Sequence, residues 1–194
     1  QTYKNIEIIF FDDQSSDNSI KKVKKYDNVN LIINSKEKKK FGCYNQINSY
    51  REAFNKSSGD LIFFLDSDDY FKKNKIKSIV KKFDESNSKI IFDLPIWKYN
   101  NKNIKKKITQ KKFLLSSWPR FSPQSCISIK RSLIKDVFKH LAIKKYETIW
   151  FDFRIAAYVH LRFGKIDIFN EYLTYYRQLE NSASKKYKFF SKNW

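Results

Sequence analysis

The chain has no methionine, only two cysteines and no long apolar run in 194 residues. Each absence closes something. Cys43 and Cys126 show no C-x-x-C spacing, which argues against a disulfide framework and a zinc ribbon and makes a reducing compartment the default. The longest clean apolar run, Leu61 to Leu65, is far short of the ~18–20 residues a membrane span needs. No signal-peptide pattern opens the sequence. A start at Gln1-Thr2-Tyr3 without Met reads as a piece of a longer chain or a trimmed domain. There is no internal repeat and no clear linker. What remains is rich enough to fold. Hydrophobic residues are 41% and aromatics 18%, too many for a disordered chain, and the length fits one domain with a real core. Forty Lys and Arg against 20 Asp and Glu give a formal charge of +20. Only six of the 40 are Arg, and a Lys excess beside many Asn and Ile can reflect base composition in the coding DNA. The charge is therefore discounted as a sign of specific nucleic-acid binding, although it favours anionic partners and anionic membrane surfaces.

The hydrophobic pattern alternates. Ile6 to Phe11, Val29 to Ile33 and Leu61 to Leu65 read as strands, with a weaker one at Ile90 to Phe92. Between them, Ile20, Val23 and Tyr26, then Ile47, Tyr50, Ala53 and Phe54, then Ile76, Ile79, Val80 and Phe83 recur at helical spacing. Ser16 or Asp17 suits a helix cap, and Ser57-Ser58-Gly59 ends the second helix. Such strand–helix alternation over the first ~95 residues predicts an α/β fold with a mostly parallel sheet flanked by helices. Trp97 to Lys112 reads as loop or edge strand. Further on come a strand at Ser125 to Ile129, a helix at Arg131 to Phe138, a helix presenting Trp150, Phe153, Ala157 and Leu161, and strands at Ile166 to Phe169 and Tyr172 to Tyr176.

Five acids stand at the ends of two strands: Asp12 and Asp13, then Asp66, Asp68 and Asp69. Carboxyl ends of strands line the ligand crevice of open α/β sheets. Clustered carboxylates repel unless a cation neutralises them, and hard oxygens suit Mg²⁺ or Mn²⁺. Taken singly, each Asp serves as well for a helix cap.

The segments that carry these acids resemble family 2 glycosyltransferases. Gln1-Thr2-Tyr3-Lys4-Asn5-Ile6-Glu7-Ile8-Ile9, followed by Asp12-Asp13-Gln14-Ser15-Ser16-Asp17-Asn18-Ser19, is similar to that family's second strand. Gly59 to Asp69 is similar to its G-x-x-I-x-F-L-D-x-D-D strand, and Leu173 to Gln178 with Asn181 to Ser184 to its L-x-x-Y-R-x-H-x-x-S-x-S end. The resemblance spans nearly the whole chain, residues 1–194, as one catalytic domain of the GT-A type. It implies a nucleotide-sugar-binding half at 1–95, an acceptor-side half at 96–194, and a first strand lying before Gln1. It implies transfer, by inversion, from a nucleotide-sugar donor of the UDP-sugar class to a glycan or lipid-linked acceptor in cell-surface polysaccharide synthesis. Asp12 or Asp13 would contact the nucleotide base, Asp66 the ribose or the metal, and Asp68 the Mn²⁺ or Mg²⁺. Asp69 would join them or cap the helix of Ile76. The carboxylate that takes the acceptor's proton would be Asp152, in Trp150-Phe151-Asp152, with Glu147 in reserve. Arg177 would clamp the diphosphate. Trp118-Pro119-Arg120 and Ser122 to Ser125 fall where the family places acceptor contacts. The setting would be cytoplasmic, with peripheral membrane contact through Lys and the aromatic tail Tyr187, Phe189, Phe190 and Trp194.

Departures are specific. Gln14 replaces the usual Gly, Gln178 the usual His, and no A-R-N precedes the long helix, although Arg51 lies nearby. Other classes fit less well. A response-regulator receiver also pairs acids around Mg²⁺, but Ser67-Asp68-Asp69-Tyr70 lacks its Pro. A dehalogenase-like phosphatase wants Thr or Val where Tyr70 stands. A basic nucleic-acid module leaves the acids unexplained.

Overall fold

The computed structural model describes residues 1–108 and 120–179. Trp118 and Pro119, Asn181 to Ser184 and the aromatic tail lie outside them. The strands are β1 (Ile8–Asp12), β2 (Val29–Ile33), β3 (Leu61–Phe63), β4 (Tyr70–Phe71), β5 (Ile90–Lys98), β6 (Asn103–Lys105), β7 (Ile127–Lys130) and β8 (Ile168–Arg177). The helices are α1 (Ser19–Val23), α2 (Gly42–Asn55), α3 (Lys75–Asp84), α4 (Arg131–His140) and α5 (Phe151–Phe163). The class is α/β, as the alternation predicts.

Two sheets form. β1 and β2 pair in parallel, Ile8 opposite Val29. The larger sheet runs β3-β7-β5-β8-β4, with β6 on β5. Here the pairing is mixed rather than mostly parallel: β5–β8 is parallel, while β3–β7, β5–β7, β5–β6 and β4–β8 are antiparallel. The physical reason is insertion. β3 and β5 are not neighbours, because β7 comes back from later in the chain and runs against both. Local periodicity carries no trace of such a partner. Among the described residues, the second edge of β1 and the outer edge of β3 pair with no strand.

β5 is the axis of the core. Ile90 and Phe92 face Ile127, Ile129, Leu133, Ile134 and Phe151 on one side, and Ile91 packs with Ile79, Phe83 and Leu173 on the other. This is the period-2 alternation of a strand covered on both faces. The sequence pattern stops the strand at Phe92 because Asp93 and Pro95 look like breakers. In the fold Asp93 is ion-paired with Lys75 at 2.6 Å, and Pro95 sits where the register with β8 shifts, a position that tolerates a missing N–H.

The helix at Trp150 is present, but its buried face differs from the expected one. Phe151, Ile155 and Val159 are buried, whereas Trp150, Phe153 and Leu161 are exposed, Leu161 at 80%. Apolar residues ring this helix, so spacing alone leaves its orientation open. Aromatic packing decides it: Phe151 stacks on Phe138 with ring centroids 5.4 Å apart and on Tyr50 at 5.5 Å, with Phe64 edge-on at 5.3 Å.

Candidate active site

After β3 the chain dips into the core at Phe64 and returns through a turn bearing Asp66, Asp68 and Asp69. Asp66 is held from two sides. Its N–H donates to Ser125 Oγ at 3.0 Å. Its Oδ1 accepts Tyr50 O–H at 2.5 Å and Gln46 Nε2–H at 3.2 Å. Gln46 and Tyr50 are four residues apart on α2, the spacing that puts two side chains on one helical face. Burial pushes the Asp66 carboxyl up to about 7, the Tyr50 bond opposes that, and the neighbouring charges of Asp69, Asp68 and Asp152 add to it.

Asp69 accepts the Arg177 N–H at 2.8 Å, and Arg177 Nε–H donates to the Asp68 carbonyl. Burial raises Asp69 to about 6, while its bonds with Ser125 and Arg177 pull the value down. Asp69 does not cap the helix of Ile76, because the chain forms β4 first and α3 is entered at Asn74. Asp152 lies in the first turn of α5, its Oδ1 accepting the Phe153 N–H at 2.7 Å. Burial raises its pKa; burial also raises those of Tyr50 and Tyr176, and the Asp152 charge adds to both shifts. Asp66, Asp68, Asp69, Asp152 and Arg177 are therefore brought together, although 86 positions separate Asp66 from Asp152 and the elements come from both halves of the chain.

Asp12 and Asp13 lie elsewhere. Asp12 is buried and its Oδ2 accepts the Ser15 N–H at 3.0 Å. Asp13 Oδ1 accepts Asn34 Nδ2–H at 2.6 Å. Between them and the Ser15 turn, Gln14 adopts φ +60°, a left-handed conformation that glycine takes without cost. The Gln14 side chain donates to the Lys36 carbonyl at 2.8 Å, tying this turn to the exit of β2. Asp13, Asn34, Tyr44, Asn48, Arg51 and Glu52 line a cleft of about 450 Å³ between the end of β2 and α2. Arg51 donates to Asn48 Oδ1 at 2.8 Å. α2 thus lends one face to the cleft and another, through Gln46 and Tyr50, to the crevice.

Sequence reasoning did not reach Gln46, Tyr50 as a polar contact, Ser125 as a support of Asp66, or the Lys75–Asp93 pair. Only the i, i+4 spacing of Gln46 and Tyr50 was available as a signal, and it does not name their partner.

The oxygens of this crevice suit a hard cation, and Asp69 Oδ2 is buried without a hydrogen-bond partner. Among the described residues, no three His, Cys, Asp or Glu side chains are grouped to hold a metal ion by themselves. The set fits a cation that takes one or two carboxylates and completes its shell with phosphate oxygens, the usual habit of Mg²⁺.

Comparisons with known proteins agree with this architecture. Residues 1–147 match the model of glycosyl transferase family 2. Comparison with curated proteins gives no match. Among solved structures, Staphylococcus aureus TarS residues 1–349 in complex with UDP superposes with a TM-score of 0.66 at 17% identity, covering 89% of this chain and 51% of that one. The same fragment in complex with UDP-GlcNAc gives 0.65 at 19%, covering 94% and 52%. S. aureus TarS gives 0.60 at 20%, covering 89% and 31%. This chain thus spans about half the TarS fragment, and at such identity the likeness shows the GT-A fold alone. The family model matches about three quarters of the chain and points away from a receiver-like domain: the chain belongs to glycosyl transferase family 2.

Proposed function

We propose that this domain transfers a sugar, with inversion, from a UDP-sugar to a hydroxyl of a glycan or lipid-linked acceptor. The observation that carries the reading is the convergence of Asp66, Asp68, Asp69, Asp152 and Arg177 at the end of β3. The departing diphosphate gains negative charge, and a bound Mn²⁺ or Mg²⁺ would supply electrostatic stabilisation of that charge. Asp68 and Asp66 are the residues that would hold it. Asp66 is kept in place by Tyr50 and Gln46. Arg177, anchored through Nε on the Asp68 carbonyl, would orient the diphosphate. Asp13, with the cleft beside it, would receive the nucleotide base, and Asp12 holds that turn.

Asp152 would take the proton of the attacking hydroxyl. Burial raises its pKa, which makes its carboxylate a better base than an exposed one. Exposed Trp150 and Phe153 flank it in sequence and offer apolar faces to a sugar ring. No helix among the described residues is long and apolar enough to cross a membrane. We place the domain on the cytoplasmic side, touching an anionic membrane surface through its lysines. UDP titrated by calorimetry, with and without Mn²⁺, tests the donor site. Metal-dependent binding that disappears in Asp68→Ala is expected. Equal binding in the variant removes Asp68 from the site, and no binding by the parent chain rejects the donor assignment.

A further inference from the structure

Behind the turn of Asp66 lies a buried polar network. Lys75 is fully buried at the start of α3. Its Nζ lies 2.6 Å from Asp93 Oδ1, and donates to the Ser125 carbonyl at 2.7 Å and to Thr174 Oγ1 at 2.6 Å. Two of its three hydrogens are thus donated to oxygen, and the contact with Asp93 is one of charge, since Asp93 Oδ1 has no hydrogen-bond partner. Thr174 O–H donates onward to Asp93 Oδ2 at 2.7 Å. Four separate pieces of chain meet here: α3, β5, β8 and the turn leading into β7. A buried ion pair of this kind adds little net stability over an apolar filling of similar volume, because both charges lose water. What the network does provide is direction.

The direction is toward the acids. Ser125 presents its carbonyl to Lys75, and its Oγ accepts the Asp66 N–H at 3.0 Å. Thr174 stands three positions before Arg177 on β8, and the Arg177 N–H holds Asp69. Both handles on the acid turn therefore lead back to one ammonium.

We propose that the Lys75–Asp93–Thr174 network is a positioning device for the donor site: it fixes Ser125, which holds the Asp66 backbone, and it steadies the strand whose Arg177 N–H holds Asp69. Lys75, Thr174 and Ser125 touch no substrate. The inference deepens the proposed function and rests on it for its catalytic meaning.

Two readouts on the full 194-residue chain test it: deuterium exchange of the backbone amides at Asp66 to Asp69, and calorimetric affinity for UDP with Mn²⁺. Ser125→Ala deletes the hydroxyl and keeps the carbonyl that Lys75 needs. Exchange at the acid turn is expected to rise at least about tenfold, and Mn²⁺-dependent UDP affinity to fall about tenfold, a change of ~1.4 kcal/mol. Ser125→Thr, which keeps a hydroxyl, restores both toward the parent. Thr174→Val keeps the volume, touches neither Asp66 nor Asp69, and is expected to raise exchange at the same turn. Unchanged exchange there in Ser125→Ala and Thr174→Val overturns the positioning role, whatever the affinities. A parent chain that fails to bind UDP rejects the donor reading instead, and the exchange data then decide the network's role alone.

Discussion

The two acid-bearing strand ends belong to very different surroundings. Around β3, the turn of Asp66 is backed by β5 and β7, whose apolar residues are almost all buried, and by β8, which buries Leu173 and Thr174. Around β1, Asp12 is the single buried residue in the first 42 positions, and neither β1 nor β2 contributes a fully buried apolar side chain. One acid motif is built into the core and the other is carried on a thin parallel pair. That pair is fastened by a few polar contacts: Glu7 Oε1 accepts the Ser58 and Gly59 N–H groups at 2.6 Å each, and the Thr2 N–H donates to the Lys73 carbonyl at 2.8 Å. The difference separates two jobs. Rigid geometry is concentrated where charge must be handled, and the cleft of Asp13 is left on the part of the molecule best able to adapt.

This contrast can be broken from the core side first. Lys75→Met leaves Asp93 buried without its cation and is expected to cost about 3–5 kcal/mol of unfolding free energy in urea titration. A loss under about 1 kcal/mol would mean that the pair is not closed to water. Next in size, Ile127→Ala in β7 should cost about 2–5 kcal/mol, whereas Ile9→Ala in β1 should cost about 1 kcal/mol or less, because its side chain is only half removed from water. Equal losses would erase the comparison.

Acid titration sharpens it. Asp66 and Asp69 have folded values near 7 and 6, above the ordinary carboxylate value. Over that window the folded chain binds more protons than the unfolded one, so its metal-free stability falls as pH rises from about 4 to about 7 and levels off above. Urea midpoints across that range should show the fall, and Asp66→Asn should flatten most of it. The smallest effect belongs to the β1 end. Gln14→Gly relieves a φ of +60° but loses the bond to the Lys36 carbonyl, and the two nearly cancel to within about 1 kcal/mol. Gln14→Ala keeps the strained backbone, loses the bond and should be the less stable of the two by thermal melting.

Much of this was legible residue by residue. Hydrophobic spacing marked β1, β2, β3 and α1 through α4, and the presence of α5 but not its buried face. The acids stood out because carboxylates at strand ends have few structural uses. What stayed hidden was non-local. β5 looked interrupted at Asp93 because its cation lies 18 positions upstream on α3. β8 looked like two strands because Asn170 and Glu171 are exposed at a register shift that only β5 explains. Nothing near Ser125 announces that it supports Asp66, since their contact spans 59 positions. Mixed pairing in the large sheet was invisible for the same reason: a strand's partner is decided by closure of the fold, not by its own composition.

The clasp of Arg177 on the acid turn also orders events in time. Asp69 precedes Arg177 by 108 positions, and Lys75 precedes Thr174 by 99. At about 5–20 residues per second, a ribosome delivers the acids roughly 5–20 s before the strand that secures them. Until β8 arrives, β5 lacks one of its two central neighbours and the charge-bearing turn lacks its anchor. Competence to hold a ligand is therefore among the last properties a nascent chain acquires, and a premature stop between Asp152 and Arg177 keeps every carboxylate of the set but removes the strand end that anchors them.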